Sequence, residues 1–558
     1  MKNKRSMTIF ALLLTAALLF GEVSAYASDN VHVNDGVVSD IFGAYATGGS
    51  GRAEKIETQD IMVLTGGGIA PLGVTAEDPD PAQKRLDVVG TVAIRTDVIR
   101  VGLNYGGNTV PAATLRNTAG SGFVFGYYDG GRVFREVGYT GEQAITAVKD
   151  LNVKIGDAGT LGCFHILLGE VYSGFEEARA AASNYEEGFP AYYDGAYRAL
   201  IGNYQSREAA EEAMFVYGVY GTAFSGSNRC VTVIIPGTTR ILFEFDCGTS
   251  YYFTARPSPD SSRAQTSYGN YRYYGDFMFI RNSGEDMTVV NFVETEDYIK
   301  GVVAAEMSEN WPIEALKAQA VSARSYALRH LGGYASLGFD VTGDTYSQAY
   351  IGTNRVGDNT DRAVSSTAGV YMTYNGEICE ALYSSSFGGG SENSETVFRD
   401  ALPYMRGIRD PYEKDAADVN AYSSWTRSWS KSAITSKLTA LGHRFYNLAD
   451  MELTHSKTGN VTAIKFTDIY GNTVNLKNNE CYSFCTNSSR LGLPSIHFSA
   501  EQSRSDNNVL IFSGGGWGHN VGMSQYGAYA MAKYHGKTYD QILAFYYTGV
   551  SLAKGVVV

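Results

Sequence analysis

The hydrophobic positions between Thr295 and Met307 fall on one face of a helix. Ile299, Val302, Val303 and Met307 follow the i, i+3, i+4, i+8 spacing of a buried stripe. Thr295 is placed to cap this helix, and Glu296 and Asp297 occupy its first turn, where the helix dipole favours anions. Glu306 falls at i+7, on the apolar face. A carboxylate desolvated in this way holds its proton more tightly, which is the property a general acid needs. A second helix is predicted from Pro312, a favoured first helical position, to Arg329. Its alanines permit close packing. Lys317 and Arg324 lie seven residues apart on one face, as a cationic wall able to hold an acidic or hydroxyl-rich substrate against Glu306.

Other stretches read as strands. The clearest are Ile99–Leu103, Phe123–Tyr128, Val231–Ile235, Ile241–Phe245, Met287–Asn291 and Val509–Phe512. Residues 28–95 are rich in Gly, Asp and Thr with weak periodicity and are expected to be irregular. A weak repeat follows. His165–Gly169, Tyr172-Ser173 and Glu176–Ala178 form one copy; Ala199–Gly202, Tyr204–Ser206 and Glu208–Ala210 form the second. Each reads as a strand, a turn and an Ala/Glu helix, so the pair is a small α/β module. It resembles the sporulation-related repeat (SPOR) domain, which binds glycan strands stripped of stem peptides, over residues 161–220. The fold class expected is α+β and multi-domain. A region at 96–225 would carry this module, and a domain at 230–558 would carry mixed sheets and packed helices.

The N-terminus reads as a secretory leader at 1–27. Lys2, Lys4 and Arg5 precede an apolar run from Thr8 to Phe20, and Val23-Ser24-Ala25 or Ala25-Tyr26-Ala27 would serve for cleavage. The run is short for a membrane span, so a secreted protein is expected, with membrane attachment only if the leader is retained; the resemblance to a glycan-binding module implies association with the cell wall. The formal charge is −13, and loss of the leader with its three basic residues and Glu22 would take it to about −15. No basic stripe stands out, which argues against a nucleic-acid partner. The 40 tyrosines combine an apolar face with a polar tip and suit stacking on sugar rings. The six cysteines are too sparse for a disulfide scaffold. Cys230 with Cys247 and, across a tight turn, Cys481 with Cys485 are the candidate pairs. No CxxC and no His at zinc-finger spacing occurs, so no structural metal and no cofactor are expected.

Two small-residue loops remain. Tyr383–Glu395 contains Ser384, Ser385, Ser386 and three glycines but no G-x-S-x-G elbow, so serine catalysis is a poor fit; its hydroxyls and bare backbone would suit a polysaccharide groove. Ser513–Ala528 leads from a strand into a helix. Its glycines lack the G-x-G-x-x-G spacing of a dinucleotide site, and His519 is its candidate site residue.

Five runs in order resemble one family, that of stage II sporulation protein D and the amidase enhancers. They are Tyr298–Met307, Trp311–Leu328, Asp344–Tyr350, Ser384–Gly389 and Gly518–Ala528. The resemblance covers about residues 230–552. It implies a lytic transglycosylase acting on denuded peptidoglycan strands, with Glu306 as the acid/base. It also implies that Lys317, Arg324, Gln348, Tyr350, Ser385, Ser386, His519 and Gln525 are substrate-binding positions lining the cleft. Some members bind zinc through a Cys and nearby His at the small-residue loop. Here that loop reads Ser384-Ser385-Ser386-Phe387, so zinc is not expected there.

The mechanism implied is consistent with the residues themselves. Ordinary glycosidases need two carboxylates flanking the bond. One strong acid is found and no convincing partner, and a lytic transglycosylase needs only one. The rival expectation is a non-catalytic protein that binds the wall and stimulates a separate amidase.

Overall fold

A computed structural model describes residues 84–558 apart from 131, 260–262 and 283–284. The predicted leader and most of the 28–95 segment lie outside the described residues. The described chain forms two compact units. One comprises residues 95–305 and 330–356; the other comprises 84–94, 306–329 and 357–558. The architecture is α+β with mixed sheets, as the periodicities predicted.

The first unit is built on a ten-stranded sheet and a seven-stranded sheet. The repeat seen in the sequence is a β-α-β-β-α-β run. Its elements are β1 (Phe164–Leu168), α1 (Phe175–Ala182), β2 (Gly188–Tyr193), β3 (Ala196–Tyr204), α2 (Arg207–Tyr217) and β4 (Gly221–Phe224). The spatial order is β4-β1-β3-β2, antiparallel throughout, which is the split βαβ arrangement of ferredoxin-like modules. Each copy therefore contributes strand, helix and strand, one strand more than the βα unit read from the sequence. Ser206 caps α2 by accepting the Ala209 amide at 3.2 Å.

This module does not end a domain near 225. A hairpin of β5 (Val231–Ile234) and β6 (Ile241–Asp246) continues its sheet, with β6 parallel to β2 and β5 antiparallel to Ala144–Lys149. One hydrogen-bonded sheet thus crosses the expected boundary at 225–230. Rings from the two sheets meet face to face: Phe125 stacks on Phe243 at 5.2 Å between centroids and lies 5.7 Å from Phe253. All three are essentially solvent-free, and each such burial is worth about 1.5–3 kcal/mol.

Helix α3 (Thr295–Glu306) leaves the seven-stranded sheet directly after the strand Thr288–Glu294. Ile299, Val302, Val303 and Met307 are wholly buried, as their spacing required. Thr295 is the first helical residue rather than a cap, and its hydroxyl is buried without a hydrogen-bond partner among the described residues. In the second unit α4 (Ile313–Arg329) is buried on nearly all sides, and its alanines allow that enclosure. Four strands of this unit include Val88–Ile94, paired in parallel with Ser551–Val557. Residues 88–94 were expected to be irregular. Their β-branched content and the burial of Val92 and Ile94 make them a strand instead. Helix α5 (Gln525–His535) follows the glycine-rich loop.

All six cysteines are buried free thiols, so neither candidate disulfide forms in this structure. Cys481 and Cys485 are one turn apart on the helix Asn479–Thr486, and the Cys230 thiol faces the Glu244 carboxylate at 3.0 Å instead of Cys247. No helix of the described residues is long and apolar enough to cross a membrane.

Candidate functional site

Glu306 closes α3 and is half-buried. Its Oε2 accepts a hydrogen bond from Gln525 Nε2 at 3.2 Å. Gln525 is only 6% exposed, so its amide is a fixed donor rather than a mobile surface group. It opens α5, whose N-cap is Ser524: Ser524 Oγ accepts the Gly527 amide at 2.9 Å. The same hydroxyl donates to Glu413 Oε2 at 2.6 Å.

Glu413 was not singled out in the sequence, yet it ties two of its motifs together. It accepts the amides of Phe387 and Gly388 in the serine loop as well as the Ser524 hydroxyl. Burial, and then the neighbouring Asp410, push its carboxyl up to about 7. Asp410 is also buried and accepts the Tyr546 hydroxyl and the amides of Tyr412 and Glu413. Short β-bridges complete the junction. Tyr383–Ser384 pairs in parallel with Met523–Ser524, and Ser386 and Trp517 exchange backbone hydrogen bonds. The glycines serve this contact: a Cβ on Gly388 (φ +73°) would sit 2.5 Å from the Gly515 backbone. The two loops pack backbone to backbone rather than presenting an open glycine surface.

Two other carboxylates near Glu306 in sequence have fixed roles. Glu309 accepts the amides of Asn359 and Thr360 and the Thr360 hydroxyl at the start of the helix Asp358–Ser366. Glu314 accepts the Tyr539 amide at 2.8 Å and pairs with Lys317 Nζ at 2.7 Å. Both are spent at helix N-termini, where the dipole and unpaired amides favour an anion. Beside Gln525, the half-buried ring of Trp311 lies 5.0 Å from Tyr526 and 5.1 Å from Tyr529, an aromatic surface of the kind sugar rings stack on.

The remaining expected site residues are mostly internal. Arg324 is fully buried and donates to the carbonyls of Ala320 and Val370, so it braces α4 instead of facing a substrate. Lys317, only partly exposed, turns to Glu314 and the Tyr539 ring; the expected cationic wall is not formed. Gln348 and Tyr350 are buried in the first unit and support α3: the Tyr298 hydroxyl donates to Gln348 Oε1 at 3.1 Å, and the Tyr350 hydroxyl donates to Asn291 at 2.8 Å. Ser386 is fully buried and its hydroxyl has no hydrogen-bond partner among the described residues; Ser385 is half-buried, and its carbonyl accepts the Tyr526 amide. His519 uses both ring nitrogens on the backbone, Nε2 donating to Tyr383 O at 2.8 Å and Nδ1 accepting the Val521 amide at 3.0 Å. Burial holds it neutral, down to about 4, against the opposing pull of the Tyr383 carbonyl. Its role is to fasten the loop. Among the positions expected to line the cleft, Gln525 is bonded to Glu306.

Comparison with known proteins supports the same assignment of family. The family model described as "Stage II sporulation protein" matches residues 283–374, which contain α3 and α4. The chain is 32% identical over 281 residues to Stage II sporulation protein D of Bacillus subtilis, covering 48% of this chain and 76% of that protein. It is 37% identical over 285 residues to an uncharacterized protein of Brachyspira hyodysenteriae, covering 72% of it. It is also 30% identical over 294 residues to the Amidase enhancer of Bacillus subtilis, but spans only 40% of that protein's length. The chain belongs to the stage II sporulation protein D family, whose members these relatives place in sporulation and in the enhancement of amidases.

Proposed function

We propose that this protein is a secreted lytic transglycosylase that cleaves peptidoglycan glycan strands between N-acetylmuramic acid and N-acetylglucosamine. The observation that carries the proposal is the setting of Glu306. It is a half-buried carboxyl at a helix end, held by a neutral buried amide, while the neighbouring carboxylates Glu309 and Glu314 are committed to helix N-termini. A hydrolase working by two carboxylates needs a second acid to activate water or attack the sugar. An intramolecular reaction does not.

Glu306 protonates the glycosidic oxygen as the bond to the muramic C1 breaks. The resulting carboxylate takes the proton from the muramic C6 hydroxyl as that oxygen bonds to C1. The products are a 1,6-anhydro end and a free 4-hydroxyl, with no net water consumed. Gln525 positions the carboxylate, and the Trp311–Tyr526–Tyr529 surface offers sugar rings a stacking face.

The test is mass spectrometry of peptide-stripped glycan strands incubated with the purified protein or with Glu306→Gln. Anhydromuramic ends should form with the parent and fall at least about 10²–10⁴-fold with the variant. A second reading rests on the resemblance to the Amidase enhancer. Under it neither protein makes anhydro ends, both bind strands, and both stimulate a wall amidase equally.

A further inference from the structure

Four side chains that the activity above does not use meet inside the first unit. His165 lies on β1, Glu244 on β6, Cys230 just before β5, and Asp150 just after the strand Ala144–Lys149. His165, Cys230 and Glu244 are completely buried and Asp150 is 4% exposed. In the sheet β1 and β6 are separated by β3 and β2, yet their side chains touch, so the sheet curls over this point.

The donor atoms are closely grouped. His165 Nε2 lies 3.1 Å from Glu244 Oε2 and 3.9 Å from Asp150 Oδ1, and Cys230 Sγ lies 3.0 Å from Glu244 Oε1. The ligating atoms of Asp150, Cys230 and Glu244 all fall within 4.8 Å of one another. A tetrahedral zinc ion, with bonds of about 2.0–2.3 Å, sets its donors roughly 3.3–3.6 Å apart. Asp150, Cys230 and Glu244 therefore need only small closures, and His165 approaches the group from the side of the two carboxylates.

Two atoms fall short of a full set of partners. His165 Nε2 and Glu244 Oε2 are fully buried, and the 3.1 Å contact between them is an ion pair without hydrogen-bond alignment. A cation between them would take the place of the imidazole proton. The other ring nitrogen of His165 faces Gly202 O at 2.6 Å, and its N–H donates there. With Nδ1 so engaged, Nε2 is the nitrogen that faces the carboxylates, and a backbone bond of this kind is the usual outer contact of a metal-bound histidine. Without a cation the imidazole is protonated: against its burial, Glu244 and then Asp150 raise its pKa to about 9. Charge also balances. Two carboxylates and one thiolate would be matched by a dication and by Arg281, which is 1% exposed and donates to Cys230 O at 2.7 Å.

We propose that Asp150, His165, Cys230 and Glu244 form a structural binding site for a zinc-class divalent cation that staples the curled sheet of the first unit. On binding, the ion takes an oxygen from each carboxylate, the imidazole Nε2 lone pair and the Cys230 sulfur, and the protons held by Nε2 and by the thiol leave to solvent. The site is remote in role from Glu306. Its enclosure means the metal enters as the chain folds.

The test is to express the full chain in zinc- or cobalt-supplemented medium and measure metal per chain. One equivalent is expected. The cobalt form should show a thiolate-to-metal charge-transfer band in the near ultraviolet with intense tetrahedral visible bands. Cys230→Ser should remove that band, and Cys481→Ser, a thiol in the other unit, should leave it. If Cys230→Ser fails to fold by circular dichroism, the spectrum of the unaltered cobalt protein still decides the matter, since the thiolate band must be present. A metal-free protein from supplemented medium, bound cobalt without the thiolate band, or a band that persists in a folded Cys230→Ser overturns the proposal.

Discussion

Gly301 lies in the middle of α3, where an alanine would normally stabilise a helix by about 1 kcal/mol. The structure predicts the opposite sign. A Cβ at this position would stand 2.5 Å from a ring carbon of Tyr350 and 2.8 Å from the Gly352 carbonyl oxygen. Neither neighbour is free to move away. The Tyr350 ring packs at 4.9 Å from Tyr298 and 5.6 Å from Tyr273, and its hydroxyl is bonded to Asn291. Overpacking of this kind costs about 1–3 kcal/mol, which set against the propensity gain of about 1 kcal/mol leaves a net loss of up to about 2 kcal/mol. For a unit of this size that is a fall in Tm of up to roughly 8 °C. Calorimetry of Gly301→Ala measures it. Gly301→Ala combined with Tyr350→Leu should cost less than the sum of the two single changes, because the larger partner is gone. A rise in Tm for Gly301→Ala alone, as on a solvent-facing helix, would refute the close approach of Tyr350 to α3.

Three further outcomes are expected. Gln525→Leu removes the donor to Glu306; a hydrogen bond to a charged group is worth about 1.5–3 kcal/mol, so kcat/KM for release of anhydro ends should fall about 10- to 150-fold with little change in Tm. Glu413 holds its proton up to about 7 in the folded protein but near 4.5 when unfolded, so its share of stability is full below about 4.5 and is lost as pH rises through 7. The Tm of Glu413→Gln relative to the parent should therefore rise across that window, and a constant difference would contradict the assignment. His519 stays neutral down to about 4, so its ring proton chemical shifts should not move between pH 7 and pH 5; a titration near 6.5 would show that its two backbone bonds are absent.

Much of the local structure was legible because it depends on local periodicity. The apolar stripe of α3, the alanine-rich α4 and most strands appear within a residue or two of their predicted limits. What escaped depends on contacts between distant segments. Glu413 sits in a short 3-10 turn within a stretch without periodicity, and its importance comes from partners at 387, 388 and 524. Arg324 reads as a surface cation, but the carbonyl it reaches at Val370 lies 46 residues away. The supposed boundary near 225 failed because parallel pairing of β2 with β6 leaves no mark in either strand alone. Even the cysteine reading turned on this: spacing suggested Cys230 with Cys247, whereas the fold sets Cys230 among His165, Asp150 and Glu244.

The family motifs divide into two physical tasks, and the division is testable residue by residue. Glu306 takes its backbone position from α3, which Gly301, Tyr298, Gln348 and Tyr350 pack and hydrogen-bond into place. It takes its side-chain direction from Gln525, fixed through the Ser524 cap and Glu413 to the serine loop. Changes in the first set should lower stability and activity together, because they shift a helix. Glu306→Gln and Gln525→Leu should lower activity while the fold holds, because they alter one hydrogen-bonded pair in a site whose supports are elsewhere. If instead Gly301→Ala lost activity without losing stability, α3 would have to be a moving part of the catalytic cycle, and its close packing on Tyr350 would describe only one of its states.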